Sequence, residues 1–496
     1  MKLLPILLLL LSQTSFAQSS HKILSPVAMQ KDLAILEAAW THLHPGLYRY
    51  NTPARVQDYF NRLRVTCNRS LDERAFYILL SQLAAKIKCG HTYLNPLNLD
   101  DSIQKRILPE HIIPLFFELV PGNRIIVTHD LSGHAGIERG DEIVAINKIS
   151  SHRIIDSLLT VSRADGNHAI GKKLNNINES PDEAKGYSLF DIYFPLFFPA
   201  GGDKFSITIR KPSSGKINEL TVSATTLGNR IMAYEKMFGT IPVAEKSWDY
   251  RLLDQHSAYM KFGTFAFWNS SFNEKHFIDS IFSDLAAKPA VNNLIIDIRN
   301  NEGGDNTGDY ILSYITGKEI GCDEPGRRCY RYLVIPDSLL PYLSTWDPSF
   351  KKPKDPSKFF TNELGLYEVK KTSEPCEPIK PQAAIFRGRI FLLTNPKNSS
   401  AGYEMARNFK NAGLGKIIGE TTGGSQQGIN GGEFFFLTLP NSKFEIDLPL
   451  IYNYHANKPD RGISPDHEIR TTQTDIREKR DAQLQYVLTL VKSKKN

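Results

Sequence analysis

Apolar residues recur at helical spacing through the first part of the chain. In QKDLAILEAAWTHLH, Leu33, Leu36, Ala39 and Trp40 fall on one face before HPGLYRY breaks the pattern. ARVQDYFNRLRVTC and ERAFYILLSQLAAKI repeat it, so residues 26 to about 90 read as helices leading into KCGHTYLNP. The period changes after Pro109, where IIPLFFELV and RIIVTHDL read as short strands. In AGIERGDEIVAINKISSHRIIDSLL, Gly140-Asp141 makes a turn, Glu142 to Ile146 a strand and the last segment a helix. SLFDIYF and KFSITIRKP are read as further strands, giving a mostly β module with one helix that ends near residue 225.

From about residue 230 the pattern is that of an α/β region. SAYMKFGTF, NNLIIDIR, RIFLLTN and KIIGE are apolar strands separated by helical stretches, which predicts a mainly parallel sheet. EFFFLTLPNSKFEIDLPLI predicts an antiparallel hairpin around Pro-Asn-Ser, and RDAQLQYVLTLVKS an amphipathic closing helix. Residues 320 to 380, rich in Pro and charge, read as an insertion over one edge. No internal repeat is evident.

Composition narrows the picture. At 496 residues the chain exceeds one compact core, so two or three domains are expected. An apolar content of 41% with 10% aromatics is that of a folded protein. MKLLPILLLLLSQTSFA has an early Lys, a short leucine-rich run and a small-x-small ending at Ala17, the pattern of a signal peptide. The mature chain is expected to begin near Gln18 and to be secreted or periplasmic. No Cys stands at the cleavage point to carry a lipid, and no other stretch approaches the roughly 18 apolar residues of a membrane span. The net charge of +7 comes from 60 basic against 53 acidic residues spread along the chain, so no nucleic-acid partner is expected. Of five cysteines, Cys322 and Cys329 flank DEPGRR and are the candidates for a local disulfide. Cys67 and Cys89 are the candidates for a second, leaving Cys376 free. Without CxxC or HxxxH, a structural zinc site has no support.

Three segments are candidates for chemistry. In LLTNPKNSSAGYEMARNF a strand ends in a polar knuckle with two serines, and Ala401, Met405, Phe409 and Ala412 mark a helix beginning near Ser400. A hydroxyl at a helix N-terminus lies beside unpaired backbone N–H groups able to hold an oxyanion. On this segment alone, the commoner reading is that Asn398 or Ser399 caps the helix. In NNLIIDIRNNEGGDNTGDYILSYI a Gly-Gly pair follows a strand, where close backbone approach suits an oxyanion hole or a tight turn. The GxxxxGK[ST] loop is absent, which argues against a nucleotide. In IKCGHTYLNP, His91 follows a helix, and a serine nucleophile needs such a base.

Together these segments resemble the tail-specific, or C-terminal-processing, serine peptidase family. Its motifs stand in the family's order: GHT at 90–92, DIRNNEGG at 297–304, NSSAGYE at 398–404, IIGETTGG at 417–424 and RGISPD at 461–466. The β module around AGIERGDEIVAINKIS is similar to the PDZ domain many members carry. The resemblance implies an α/β multidomain fold: a signal peptide (1–17), an N-terminal helical module with GHT (18–108), a PDZ-like domain (109–228), a ClpP/crotonase-like α/β serine-protease core with an insertion near 320–380 (229–475), and a C-terminal helix (476–496).

The resemblance also implies roles. The nucleophile precedes Ala in the family, which selects Ser400 over Ser399, with oxyanion donors from the amides of Gly303 or Gly304 and of Ala401. The better-known branch places a lysine in a TxGKG-like segment after the serine. Here ETTGGSQQG has Gly424 at that place, so the resemblance points to the tricorn-like branch with His91 as general base. Asp460, in KPDRGISPD, is the candidate acid to orient His91 or a neighbouring donor, and Glu404 a second one. The implied activity is an exported serine endopeptidase acting on unfolded or C-terminally exposed protein segments, with the PDZ-like module as the part that would hold them as an added strand. No cofactor or metal is implied. Two alternatives stay open: a non-catalytic relative that binds peptide or a lipophilic ligand, and a serine esterase or amidase, though SxxK and GxSxG are absent.

Overall fold

The computed structural model describes residues 22–493 except 182–184, 200–201, 241–246, 269, 322–326 and 371–376. The expected signal peptide with its cleavage point at Ala17, and Cys322 and Cys376, lie outside the described residues.

The first helices start where side-chain caps dictate. β1 (Ile23–Leu24) precedes α1 (Pro26–Leu43), whose first turn is capped by the Ser25 hydroxyl accepting from the Ala28 amide at 3.3 Å. Thr52 caps α2 (Pro53–Thr66) in the same way, and Pro opens both helices at the position where its missing N–H costs nothing. β2 (Leu71–Asp72) pairs with β1 and ends in Asp72, the cap of α3 (Glu73–Ile87); α4 (Asp101–Ile107) follows. Leu33, Leu36, Ala39 and Trp40, the face the spacing predicts, are all fully buried. Each large apolar side chain so placed contributes about 1.5–3 kcal/mol.

The next layer is an antiparallel sheet. β3 (Leu115–Val120), β4 (Arg124–Asp130), β5 (Glu142–Ile146) and β6 (Ile149–Ser150) lead to α5 (Ser151–Leu159), α6 (Ile170–Asn175) and α7 (Leu189–Phe197). β7 (Lys204–Arg210), β8 (Ile217–Ser223) and α8 (Leu227–Phe238) complete it, in the strand order β3-β4-β5-β7-β8 with β6 on β5. One expectation fails here. SLFDIYF is a helix, α7, because Ser188 and Asp191 form a capping box: the hydroxyl accepts from the Asp191 amide and the carboxylate from the Ser188 amide. The region up to residue 225 therefore holds α5, α6 and α7 rather than one helix. Between α5 and β7 a long segment returns along the sheet and closes its edge. Phe117 and Glu179 exchange backbone hydrogen bonds of 3.1 and 3.0 Å, and the Leu119 amide donates to Asn178 Oδ1 at 2.8 Å.

The last half is built on a parallel sheet. Its elements are β9 (Trp248–Asp254), β10 (Ser257–Phe262), α9 (Glu274–Ala286), β11 (Asn293–Asp297) and α10 (Thr307–Ser313). Then come β12 (Arg327–Tyr330), β13 (Leu343–Ser344), β14 (Phe359–Thr361), β15 (Tyr367–Val369), β16 (Arg389–Thr394), α11 (Ser400–Asn411) and β17 (Lys416–Gly419). β18 (Asn430–Thr438), β19 (Glu445–Tyr454), β20 (His467–Glu468), α12 (Gln473–Arg477) and α13 (Ala482–Lys492) end the chain. The sheet order is β20-β17-β16-β11-β10-β9, parallel except for β9. Its strands are apolar on both faces because both are covered. Leu294, Ile296 and Leu392 share a core with residues of α9, α10 and α11, while Ile295 and Phe391 pack with Val487 of α13.

The 320–380 segment supplies β12 to β15, which join the β18–β19 hairpin in the order β13-β18-β19-β12-β15-β14. This sheet shares its core with the N-terminal helices: Leu36, Phe76 and Leu80 lie in one cluster with Phe435, Ile446 and Leu448. The Cys67–Cys89 bridge does not form. Cys67, Cys89 and Cys329 are free buried thiols, and Cys89 Sγ accepts instead from Asn430 Nδ2 at 3.3 Å. Among the described residues, no helix is long and apolar enough to cross a membrane.

Candidate active site

Two neighbouring strands, β11 and β16, end in turns that asparagine side chains tie together. Asn398 Nδ2 donates to the carbonyls of Ile298 and Asn301, so a residue read as a candidate cap of α11 serves the adjacent turn instead. Asn395 Nδ2 donates to Asn300 Oδ1 at 2.7 Å, and the Asn300 amide donates back to Asn395 Oδ1 at 3.0 Å. Ser399 does not cap either: its hydroxyl donates to the Glu302 carbonyl at 3.3 Å.

Within this frame Ser400, the first residue of α11, is held at φ +48°. A non-glycine residue there costs roughly 1–3 kcal/mol and persists only where its surroundings over-determine it. The surroundings are visible. A Cβ on Gly303 would stand 2.7 Å from both the Ser400 Cβ and the Ala401 amide nitrogen, and one on Gly304 would stand 2.1 Å from the Phe265 carbonyl. Only a glycine pair lets this turn lie against the serine. The Gly303 amide donates to Asn301 Oδ1 at 2.8 Å, which takes it out of the expected oxyanion set. The amides of Gly304 and Ala401 have no acceptor among the described residues.

His91 arrives from the other core. α3 ends with Lys88 in a left-handed conformation, and the chain then turns through Cys89-Gly90-His91-Thr92. Thr92 is fixed by the buried His44, whose Nε2 lies 2.8 Å from its hydroxyl. The His91 ring packs on Phe434 of β18, 5.6 Å between centroids, with Gly431 beside it. Its Nδ1 is buried without a partner, and no hydrogen bond joins His91 to Ser400. Burial lowers its pKa, opposed by Asp165 and reinforced by Arg163 and Lys172. The ring is thus neutral near neutrality, the state a general base requires.

The two candidate acids stand elsewhere. Asp460 accepts from Tyr50 at 2.7 Å, Ser425 at 2.9 Å and the Asn167 amide at 3.3 Å, with His168 Nδ1 at 3.5 Å. Against the effect of burial, these partners hold its carboxyl well below the usual range. It serves His168 and Tyr50 rather than His91. Glu404 pairs with Arg407 at 3.3 Å on the half-exposed side of α11, as a solvated helix residue would.

The residues that sequence reasoning missed lie in SRADGNHAIGKK, within the long segment between α5 and β7. Asp165 is buried and accepts the Gly90 amide at 2.9 Å, next to His91. Lys172 on α6 reaches the serine turn, donating to Ser399 Oγ at 2.8 Å, Glu302 Oε2 at 3.2 Å and the Lys397 carbonyl at 3.4 Å. Burial would raise the Glu302 carboxyl, but Lys172 and Arg163 outweigh it and hold it low. The available signal was length, since ordered connections this long are commonly functional. A cleft of about 670 Å³ runs behind the turn from β3 past Lys172, Pro396 and Thr422, and includes neither Ser400 nor His91. Among the described residues no group of His, Cys, Asp and Glu is arranged to hold a metal.

A strained serine at a strand-to-helix turn, backed by a glycine pair in the turn after the adjacent parallel strand, suits a serine-type hydrolase. Residues 256–469 match Peptidase family S41, which supports a serine-type peptidase. Mature CPAF is similar over 95% of this chain and 99% of its own, with a TM-score of 0.63 and 14% identity. Mature CPAF complexed with lactacystin gives the same TM-score of 0.63 at 14% identity, over 94% and 97% of the two chains. At that identity the likeness concerns the fold. No curated protein matches the chain.

Proposed function

We propose that the protein is an exported serine endopeptidase of the His-base branch, acting on unfolded or C-terminally exposed segments of other proteins. Ser400 Oγ attacks the peptide carbonyl while His91 accepts its proton. The imidazolium then returns that proton to the leaving amine, and water repeats the cycle on the acyl-enzyme. The tetrahedral oxyanion is received by the Gly304 and Ala401 amides, each contributing about 3 kcal/mol to the transition state. The observation that carries this reading is Ser400 at φ +48°, locked by Gly303 at the head of α11. Such strain is kept where a nucleophile must be presented to substrate.

The β3–β8 sheet is the part the resemblance likens to a PDZ domain, and a peptide would add to it at the β3 edge. That edge is held by Asn178 and Glu179 of the chain itself, so substrate capture there requires their displacement. The second reading, a non-catalytic binding protein, is favoured by the lack of a hydrogen bond between His91 and Ser400 and by the commitment of the Gly303 amide to Asn301. Labelling with a fluorophosphonate and mass mapping decide between them. The expected result is an adduct on Ser400 that is lost in both Ser400→Ala and His91→Ala. A well-folded wild type that neither labels nor cleaves an unstructured peptide would favour the binding protein. Cleavage of simple esters but not of peptides would indicate an esterase.

A further inference from the structure

The family's lysine position is taken by Gly424, and the structure explains why. A Cβ there would stand 2.4 Å from the Tyr403 ring on α11, so no side chain can leave residue 424 toward the serine. Its neighbour Gly423 has another effect. A Cβ on Gly423 would stand 2.7 Å from Lys172 Cδ, so the glycine opens the way along which the Lys172 stem passes. The side chain is 4% exposed and ends on three oxygens: a hydroxyl and a carbonyl of the nucleophile turn, and a carboxylate of the Gly303-Gly304 turn.

We propose that Lys172 is a positioning residue for the reaction, its ammonium linking the nucleophile turn at Ser399 and Lys397 to the oxyanion turn at Glu302. The proposal rests on the reading of Ser400 as nucleophile. Each partner reports one side of the link. Ser399 immediately precedes Ser400, so the bond to its hydroxyl fixes the residue from which α11 departs. Glu302 immediately precedes Gly303, so its ion pair fixes the distance of the Gly304 amide from Ala401. The ion pair with Glu302 Oε2 at 3.2 Å ties the Lys172 side chain to the oxyanion turn. The same segment grips the His91 loop through Asp165, so residues 165–172 set the serine, the oxyanion turn and the histidine in one register.

The test compares the full chain with Lys172→Met, Lys172→Arg and Glu302→Gln, reading peptide cleavage and the rate of Ser400 acylation by a fluorophosphonate. In Lys172→Met, kcat and acylation are expected to fall roughly tenfold to a hundredfold, as a misplaced catalytic group does. KM should stay within about twofold, since the lost interaction is not one with bound substrate. Lys172→Arg should recover much of the loss, and Glu302→Gln should fall between. Hydrogen exchange read by mass spectrometry should quicken in peptides covering 299–305 and 394–405 of Lys172→Met, with the circular dichroism spectrum unchanged. Wild-type kcat and acylation in Lys172→Met would overturn the proposal, as would a loss carried by KM or shared in full by Lys172→Arg. Retained acylation in His91→Ala with none in Lys172→Met would make Lys172 the base instead. An inert wild type would defeat the peptidase reading, and the exchange measurement would still judge the link: unchanged protection around the two turns would overturn it.

Discussion

The serine and the histidine stand on opposite sides of a seam between two hydrophobic cores. Ser400 heads α11, whose Met405, Ala406 and Phe409 are buried in the core of the parallel sheet. His91 follows α3, whose Phe76, Leu80 and Ile87 are buried with the hairpin residues Phe435 and Ile446. The serine side is self-sufficient: two adjacent strands, four asparagines and two glycines determine its geometry. The histidine side is assembled from parts distant in sequence, namely the end of α3, Gly431 and Phe434 of β18, and Asp165. What joins them is the 165–172 segment, with Asp165 on one side of the seam and Lys172 on the other. The Ser400 turn is therefore built locally, while the placing of His91 relative to it depends on how two cores are docked.

The largest effect is expected where the two sides meet. Ser400→Ala should reduce kcat by roughly a million-fold, and adding His91→Ala should cost little more, because the two act as a unit. Single-turnover cleavage of an unstructured peptide measures this. Additive losses would mean that the sides do not cooperate.

Next comes the anchor of the joining segment. Arg230 is buried between Glu179 and Asp191, at 3.1 and 2.7 Å. Arg230→Met should destabilise the protein by about 3–5 kcal/mol by leaving buried carboxylates unpaired. Two carboxyls share this one guanidinium, and burial raises both, so the pair keeps a proton in the folded state. A raised carboxyl binds its proton more tightly when folded. Its contribution is complete below the ordinary carboxyl range and is lost as pH rises above it. Urea unfolding between pH 5 and 8 should show that decline in the wild type, and Glu179→Gln should flatten it.

Gly304→Ala tests the serine side alone. Its Cβ would meet the Phe265 carbonyl at 2.1 Å, moving an oxyanion donor, and about a hundredfold loss of kcat is expected. Asp165→Asn tests the histidine side, with about a tenfold loss expected from weakening a charge-assisted hydrogen bond. Asp460→Asn should affect kcat less, since its partners are Tyr50, Ser425 and the Asn167 amide; a larger effect would return Asp460 to the role of orienting acid.

The smallest effect is on the pH profile. Since burial, with Arg163 and Lys172, lowers the His91 pKa, the acidic limb of kcat/KM should lie below the ordinary 6.5. Activity requires neutral imidazole, so a lower pKa extends it to more acidic pH. Lys172→Met should move the limb up and Asp165→Asn should move it down, because one removes a like charge and the other an opposite one.

Much of this was legible in the sequence where a signal is local. The buried faces of α1 and α3, four of the five parallel strands, the β18–β19 hairpin and the helix beginning at Ser400 follow from periodicity and glycine placement. SLFDIYF misled because aromatic, β-branched runs suit either state, and the Ser188–Asp191 capping box decided for helix. The reading of Asn398 and Ser399 as caps failed because neighbouring turns claimed both side chains. Lys172 and Asp165 carried no spacing that tied them to His91 or Ser400, since side-chain reach across packed layers leaves no periodic trace.

The sequence by itself determined most of the elements, the resemblance to a serine peptidase family and the place of Ser400 at a strand-to-helix turn, because strand periodicity, helix starts and the demands of a tight glycine turn act over a few residues. Which amides remain to receive an oxyanion, which carboxylate lies beside His91 and which lysine meets the serine turn were decided only by the tertiary structure. These depend on distances across the seam between two cores, and such distances are set by the packing of whole layers rather than by any short run of residues.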